Sequence, residues 1–172
     1  MLLSKLTKLP LHGPDVDITG VTEDSRKIQH GYLFIATPGT KQDGRLFVAD
    51  AVQKGAAAVL VPEGSKISAR VTVVETPDIR KETSAFAAAF YPRQPETVVA
   101  VTGTSGKTST AQFTREIWQA MGHASASIGT LGLVTKEGTS YGALTTPDAI
   151  TLHHLLDECV GRNITHAIME AS

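Results

Sequence analysis

At 172 residues, 41% of them hydrophobic, the chain is long enough for one large domain or two small ones and has the composition of a folded globular protein. Its 16 Lys and Arg against 17 Asp and Glu give a formal net charge of −1, which excludes the basic footprint of a nucleic-acid binder and any acidic tail. A lone Cys159 excludes an intramolecular disulfide, no stretch approaches the roughly 20 apolar residues of a membrane span, and "MLLSKLTKLPLHG" lacks the apolar run and cleavage site of a secretion signal, so no membrane insertion and a cytoplasmic location are expected.

Short β-branched runs alternate with longer helical periods, the pattern of an α/β architecture. "VDITGVT" and "GYLFIAT" read as strands, and 44–54 reads as a helix closed by Gly55. "AAAVLV" and "VTVVE" are strands, and 78–91 is an alanine-rich helix. The two prolines of "YPRQPE" forbid continuation of that helix and mark a boundary near 92–96, which divides the chain into 1–92 and 93–172.

The second segment opens on "ETVVAV", read as a buried strand over 97–102, then turns through glycines into a helix at about 107–121. Phe113, Ile117 and Met121 recur on one face of that helix, and Gly122 stops it. "SASIGTLGLVTKEGTSYGAL" supplies a strand and a hairpin. "TTPDAITLHHLLDECVGRN" reads as a helix with Thr146 as its cap, Pro147 in its first turn, and a core stripe of Leu152, Leu155, Leu156, Cys159 and Val160. The last strand lies in "THAIMEAS". Two parallel strands flanking two helices fall short of the five or more usual in doubly wound sheets. The expectation is therefore a truncated second domain, with the edges of 97–102 and 166–171 unpaired.

The chemistry is densest at "TGTSGKTST", 102–110. In a tight loop, the backbone N–H groups of Thr104, Ser105, Gly106 and Lys107 converge on phosphate oxygens, with Gly103 and Gly106 free of side chains. Lys107 then reaches the β- and γ-phosphates of a triphosphate, and the Thr108 hydroxyl is placed to hold Mg²⁺. The strict GxxxxGK[ST] spacing is not met, because Val101 stands where its first glycine would be. The competing reading is a strand-to-helix turn that uses glycine for packing.

"TGTSGKTST" resembles the variant P-loop, TGTxGKT[ST], of the Mur ligases, which build the peptide stem of bacterial cell-wall precursors. The likeness covers essentially the whole chain. "TEDSRKIQHGYLFIATPGTKQDGRLFVADAVQKGAAAVL" resembles the N-terminal uridine-nucleotide-binding domain of the ligases that add the third residue and the terminal dipeptide. "IGTLG", "TTPD" before a helix bearing His153, and "THAIMEAS" are together similar to the branch that adds the third residue. The resemblance implies a mixed α/β uridine-nucleotide domain over 1–92, followed by an incomplete parallel-sheet, P-loop ATP-binding domain over 93–172.

Residue by residue, it implies that Ser25 contacts the uridine diphosphate, with Glu23 contributing through its backbone, and that Thr40, Lys41 and Gln42 close over the nucleotide. A histidine common in that loop is absent here. Gly103, Thr104, Ser105, Gly106, Lys107, Thr108 and Ser109 would bind ATP, with Lys107 catalytic. Thr145 and Thr146 would hold the peptide or sugar end of the substrate, although Leu144 replaces the asparagine often found before that pair. Thr108 and Glu170 would hold Mg²⁺, and Ser172 would touch the substrate. The implied substrates are UDP-N-acetylmuramoyl-dipeptide and an amino acid, joined through an acyl phosphate at the expense of ATP, by a protein monomeric at full length. These 172 residues do not distinguish diaminopimelate from lysine as the added residue, and the chain alone is expected to be an inactive fragment.

Each assignment has a competitor. Thr146 is also a plain helix cap, and Glu170 a strand-end charge. His153, His154 and His166 read as surface or helix-end residues and Cys159 as a core residue, while Arg26 is a candidate partner of a diphosphate. Three other functions remain open. A terminal-dipeptide ligase would share the first domain, a generic P-loop NTPase or kinase would hydrolyse ATP without a sugar nucleotide, and a non-catalytic UDP-sugar-binding module would bind uridine nucleotide without its P-loop.

Overall fold

The computed structural model describes residues 1–39, 42–67, 69–140 and 146–171. They fall into two compact units, Met1–Phe90 and Tyr91–Ser172.

Unit 1 is a five-stranded sheet with helices. Its strands are β1 (Leu11–His12), β2 (Gly20–Thr22), β3 (Tyr32–Ile35), β4 (Ala58–Pro62) and β5 (Thr72–Thr76), in the order β1-β5-β4-β3-β2. β2 to β5 are parallel, and β1 joins antiparallel through Leu11↔Val74 and His12↔Val73. Sequence patterning misses β1 because two residues carry no period. The first four residues of "AVLVP" in β4, Ala58 to Val61, are all buried, as an inner strand of a parallel sheet requires. Around them pack Phe34, Val48, Ala51 and Val73, with α1 (Val48–Gln53) supplying Val48 and Ala51, and α2 (Ile79–Phe90) buries Phe86 and Ala87.

The strand expected over "VDITGVT" is shortened to Gly20–Thr22. Residues before it bond to the start of the chain instead, with Leu3 N donating to Val16 O and Ile18 N to Met1 O, at 2.9 and 2.8 Å. Gly20 is required by a close approach, since a Cβ there would overlap the Tyr32 ring on β3. The helix expected over 44–54 begins as a 3-10 turn, Gly44–Phe47, capped by the Asp43 side chain.

Unit 2 has β6 (Thr97–Val101), β7 (Ser125–Gly129), β8 (Gly132–Thr135), β9 (Gly138–Ser140) and β10 (His166–Glu170), in the order β6-β10-β7-β8-β9. β6, β10 and β7 are parallel, and β8 and β9 continue as an antiparallel meander. The expected pair of bare edges is thus corrected: β10 is paired on both sides, with Glu170↔Val101 toward β6 and Met169↔Ile128 toward β7. β6 is the edge strand among the described residues, and Val98 and Val99 are each 38% exposed, so it is not the buried strand its sequence suggests.

Two helices complete the unit, α3 (Lys107–Ala120) and α4 (Ala149–Gly161). α4 buries Leu155, Leu156 and Cys159 against Ala126, Ile128 and Ala167. α3 packs on β7 and β10 through the face carrying Ala111 and Arg115. The stripe of Phe113, Ile117 and Met121 is 60 to 65% exposed and does not form the core. At 100° per residue Phe113 and Ile117 lie opposite Ala111, and the sheet selected the small residue and the long aliphatic stem of Arg115.

Candidate functional site

The end of β6, the start of α3 and the end of β10 meet at one edge of the second sheet. Parallel pairing dictates this, because β6, β10 and β7 all finish on the same side. The chain leaves β6, bends through Thr102–Gly106, and enters α3 at Lys107. Gly106 has φ 81° and Gly103 φ 146°, left-handed values that side chains disfavour. A Cβ on Gly106 would meet nothing within 4 Å, so this glycine answers to backbone conformation and not to crowding, which corrects the expectation that tightness excludes its side chain.

No side chain caps α3. The N–H groups of its first turn, including Thr108 and Ser109, therefore face an exposed loop in which Thr104 and Ser105 are also exposed, the arrangement that receives oxyanions. The Lys107 ammonium donates to the Gly103 carbonyl at 2.5 Å, so the cation folds over the loop it follows.

Glu170, 3% exposed, closes the other side. Its carboxylate accepts from Thr108 Oγ1 at 2.9 Å, from Thr130 N at 3.0 Å and from Thr130 Oγ1 at 3.4 Å. Gly129 makes room for it, because a Cβ there would overlap the carboxylate. Thr146 donates from its hydroxyl to the Glu170 carbonyl at 3.3 Å. It is not the cap of α4: Asp148 is, accepting from Thr151 N at 2.9 Å. Pro147 holds the residue before it out of helical geometry, which moves the helix start past the threonine. Thr145 and Ser172 lie outside the described residues, as does Leu144.

Lys107 and Thr108, Glu170, and Thr146 are thus brought together from three segments. Thr130 and Gly129 complete the cluster, yet sequence reasoning named neither as a site residue. The only signal was the turn in "IGTLG". The Thr108 hydroxyl and Glu170 carboxylate are hard oxygen donors, and Mg²⁺ bound with a nucleotide takes only one or two protein ligands besides phosphates and water, so the pair fits that ion. Among the described residues no three His, Cys, Asp or Glu gather into a metal site.

In unit 1 the loops after β2 and β3 also share a sheet edge. Ser25, 8% exposed, begins a 3-10 turn, Ser25–Lys27, capped by Asp24, whose carboxylate accepts from Arg26 N at 3.0 Å. Arg26 turns back on Asp24 with two further bonds of 2.9 and 2.8 Å, and this pairing holds the Asp24 carboxyl down at about 2. Arg26 is therefore engaged with a carboxylate of its own loop. The Glu23 side chain accepts from Thr37 Oγ1 and ties the two loops together. Lys54 donates to the Ser25 carbonyl at 3.2 Å and to Asp50 at 2.7 Å, and sequence reasoning did not single it out. The Gln42 carbonyl accepts from Gly39 N at 3.0 Å, while Thr40 and Lys41 lie outside the described residues.

The histidines stand apart from these clusters. His123 and His166 stack at 4.1 Å with Trp118 edge-on to His166, and His153 has a buried Nδ1 without a partner, its pKa lowered by burial. Burial pushes the Cys159 thiol up to about 11, as befits a core residue and not a nucleophile. No helix among the described residues is long and apolar enough to cross a membrane.

Two family profiles match the sequence in succession: "Mur ligase family, catalytic domain" over residues 17–98 and "Mur ligase middle domain" over 101–172. A protein of Agrobacterium fabrum named UDP-N-acetylmuramoyl-L-alanyl-D-glutamate--2,6-diaminopimelate ligase is 52% identical over 157 residues, covering 91% of this chain and 32% of that protein. The protein of the same name from Caulobacter vibrioides is 46% identical over 176 residues, covering 99% and 36%. The chain thus spans about a third of the length of these relatives. A solved ligase of that name superposes with a TM-score of 0.82 at 24% identity, over 100% of this chain and 36% of that one. A Thermotoga maritima MurF ligase in complex with ADP superposes at 0.59 and 18% identity, over 87% and 31%. Both structures share the fold.

Proposed function

The chain belongs to the Mur ligase family, and from that premise we propose that it carries the uridine-nucleotide-binding and ATP-binding parts of a ligase that adds the third amino acid to UDP-N-acetylmuramoyl-L-alanyl-D-glutamate in the cytoplasm. The observation that carries the reading is the cluster of Lys107, Thr108 and Glu170 at the ends of neighbouring parallel strands. The names of the two curated relatives favour 2,6-diaminopimelate as the added residue.

The chemistry asks for charge control more than for covalent participation. A carboxylate is a poor electrophile because its leaving group would be oxide. Attack by the peptide carboxylate on the γ-phosphate expels ADP and gives an acyl phosphate. The amine then forms the amide bond, releasing phosphate and a proton. Two anions must approach for the first step. Lys107, released from the Gly103 carbonyl, neutralises the transferring group, and the first-turn N–H groups of α3 orient the phosphates. Thr108 and Glu170 would hold Mg²⁺, which supplies further neutralisation of phosphate charge when bound. Gly103 to Ser109 form the ATP cradle, and Thr146, set on the Glu170 carbonyl, stands where an acyl substrate would meet it. On unit 1, Ser25 and the Glu23–Thr37 tie form the uridine-nucleotide end, with Gln42 in the adjoining loop.

Calorimetric titration of UDP-N-acetylmuramoyl-dipeptide and of ATP, each alone, tests this. Each should bind to its own site. ATP binding without any uridine-nucleotide affinity would indicate a general P-loop NTPase, and uridine-nucleotide affinity without ATP binding would indicate a binding module.

A further inference from the structure

The turn Ser25–Lys27, between β2 and β3, is fastened from several directions. Asp24 caps it from within its own loop, and the Glu23–Thr37 bond ties that loop to the one after β3. Neither bonds the Ser25 carbonyl. That oxygen accepts instead from the Lys54 ammonium at 3.2 Å, across 29 positions of sequence. Lys54 stands at the C-terminal end of α1, and its ammonium also donates to Asp50, one turn back, at 2.7 Å. By itself a helical pair of this kind, with side chains 40 and 44% exposed, contributes little to stability. Its contact with Ser25 sets it apart. The Asp50 carboxyl is held below its ordinary 3.8 by Lys54 first and by the Ser25 hydroxyl second, so the pair meets Ser25 at both its carbonyl and its side chain.

We propose that Lys54 is a positioning residue for the ligand site at Ser25, an inference that rests on the reading of unit 1 as the uridine-nucleotide end. A 3-10 turn of three residues has few bonds of its own to fix it. Lys54 anchors it to a packed helix, because Val48 and Ala51 of α1 are buried in the core of unit 1. Core packing therefore sets where the ammonium stands, and the ammonium sets where Ser25 stands. With the serine already in place, a ligand need not order the loop as it binds. Asp50 directs the ammonium and balances its charge, so Lys54 acts through Ser25 and not on the nucleotide.

The test is calorimetric titration of UDP, as the probe, into the 172-residue chain and its variants. Lys54→Met keeps the length of the stem and removes the ammonium, and the amide NMR signals of β4 report whether unit 1 stays folded. UDP affinity should fall about fivefold, the same loss as in Ser25→Ala. The two changes together should cost no more than about twofold beyond either alone, because both act at one place. Lys54→Arg, which still reaches Asp50 and the Ser25 carbonyl, should stay within about twofold of the unaltered chain. Unchanged UDP affinity in Lys54→Met would overturn the proposal, as would losses that multiply in the double variant. Collapse of the β4 signals in Lys54→Met would also overturn it, by showing a role in folding alone. UDP that fails to bind the unaltered chain would overturn the uridine-nucleotide reading itself, an outcome distinct from the others.

Discussion

In unit 1 the loops after β2 and β3 are fastened to one another, to themselves and to the end of α1 by charged side chains: Asp24 to Arg26, Asp43 to Arg45, Glu23 to Thr37, and Lys54 to the Ser25 carbonyl. In unit 2 the loop after β6 is shaped by two left-handed glycines and a helix start without a cap, with a single buried carboxylate behind it. Both stand at the edge where parallel strands end. The difference lies in what remains available to a ligand. Unit 1's charges largely satisfy each other, leaving hydroxyls and backbone groups as the available donors and acceptors. Unit 2 leaves backbone donors and one movable cation unspent.

If that contrast holds, removing the cation should be the largest single loss. Lys107→Ala deletes charge without altering loop shape, since the glycines set the shape. ATP affinity should fall by about 2–3 kcal/mol, roughly 30- to 150-fold, as expected for a charge-assisted contact in a partly desolvated site. The thermal midpoint should stay within a degree or so. Equal ATP affinity by calorimetry would mean that the backbone alone does the binding.

A glycine pair separates crowding from conformation inside unit 2. Gly129→Ala places a methyl on the Glu170 carboxylate, so the carboxylate must move and give up its bonds to Thr108 and Thr130. The expected destabilisation is about 1–3 kcal/mol by urea unfolding, together with loss of any Mg²⁺ dependence of ATP binding. Gly106→Ala meets no atom but is forced to hold φ 81°, at about 1–2 kcal/mol, and should disturb ATP more than Mg²⁺. Identical phenotypes from the two would show that the metal corner and the phosphate cradle are one unit.

On unit 1 the corresponding change is milder. Ser25→Ala should weaken uridine-nucleotide binding by about 1 kcal/mol, the usual cost of one hydrogen bond, and leave ATP affinity unchanged. A variant that lost ATP and kept the sugar nucleotide would show the two sites exchanged.

The contrast also explains what the sequence revealed. The strand-to-helix turn before α3 was legible because glycines followed by Lys107 announce its left-handed backbone directly. Glu170 was legible because a lone carboxylate ends an apolar strand. Thr130 and Gly129 were not, since their role depends on β7 lying beside β10, a pairing between residues some 40 positions apart. The same holds for Lys54 under Ser25 and for Arg26, whose engagement with Asp24 is a rotamer choice that spacing does not reveal. Helical periodicity misassigned the face of α3 because Phe113, Ile117 and Met121 form the more apolar stripe, while the sheet took Ala111 and the stem of Arg115.

The smallest effects should come from pH, and they divide the two units most cleanly. In unit 2, burial lowers the pKa of His153 below its ordinary 6.5. Below pH 6.5 the unfolded chain binds a proton that the folded chain resists, so this group makes stability fall as pH drops from 6.5 to its folded value, with no further change beneath that. In unit 1, Arg26 holds the Asp24 carboxyl at about 2 against 3.8 for a free side chain. That contribution is fully present above pH 3.8 and disappears as the pH falls toward 2. It is small, because Arg26 is 84% exposed and water screens the pair. Urea unfolding between pH 7.5 and 5.5 should therefore soften unit 2 first, and His153→Gln should flatten that slope, while Arg26→Ala should leave it untouched and alter only the response below pH 4. A His153→Gln chain that keeps the full slope between pH 7.5 and 5.5 would place the titrating group elsewhere.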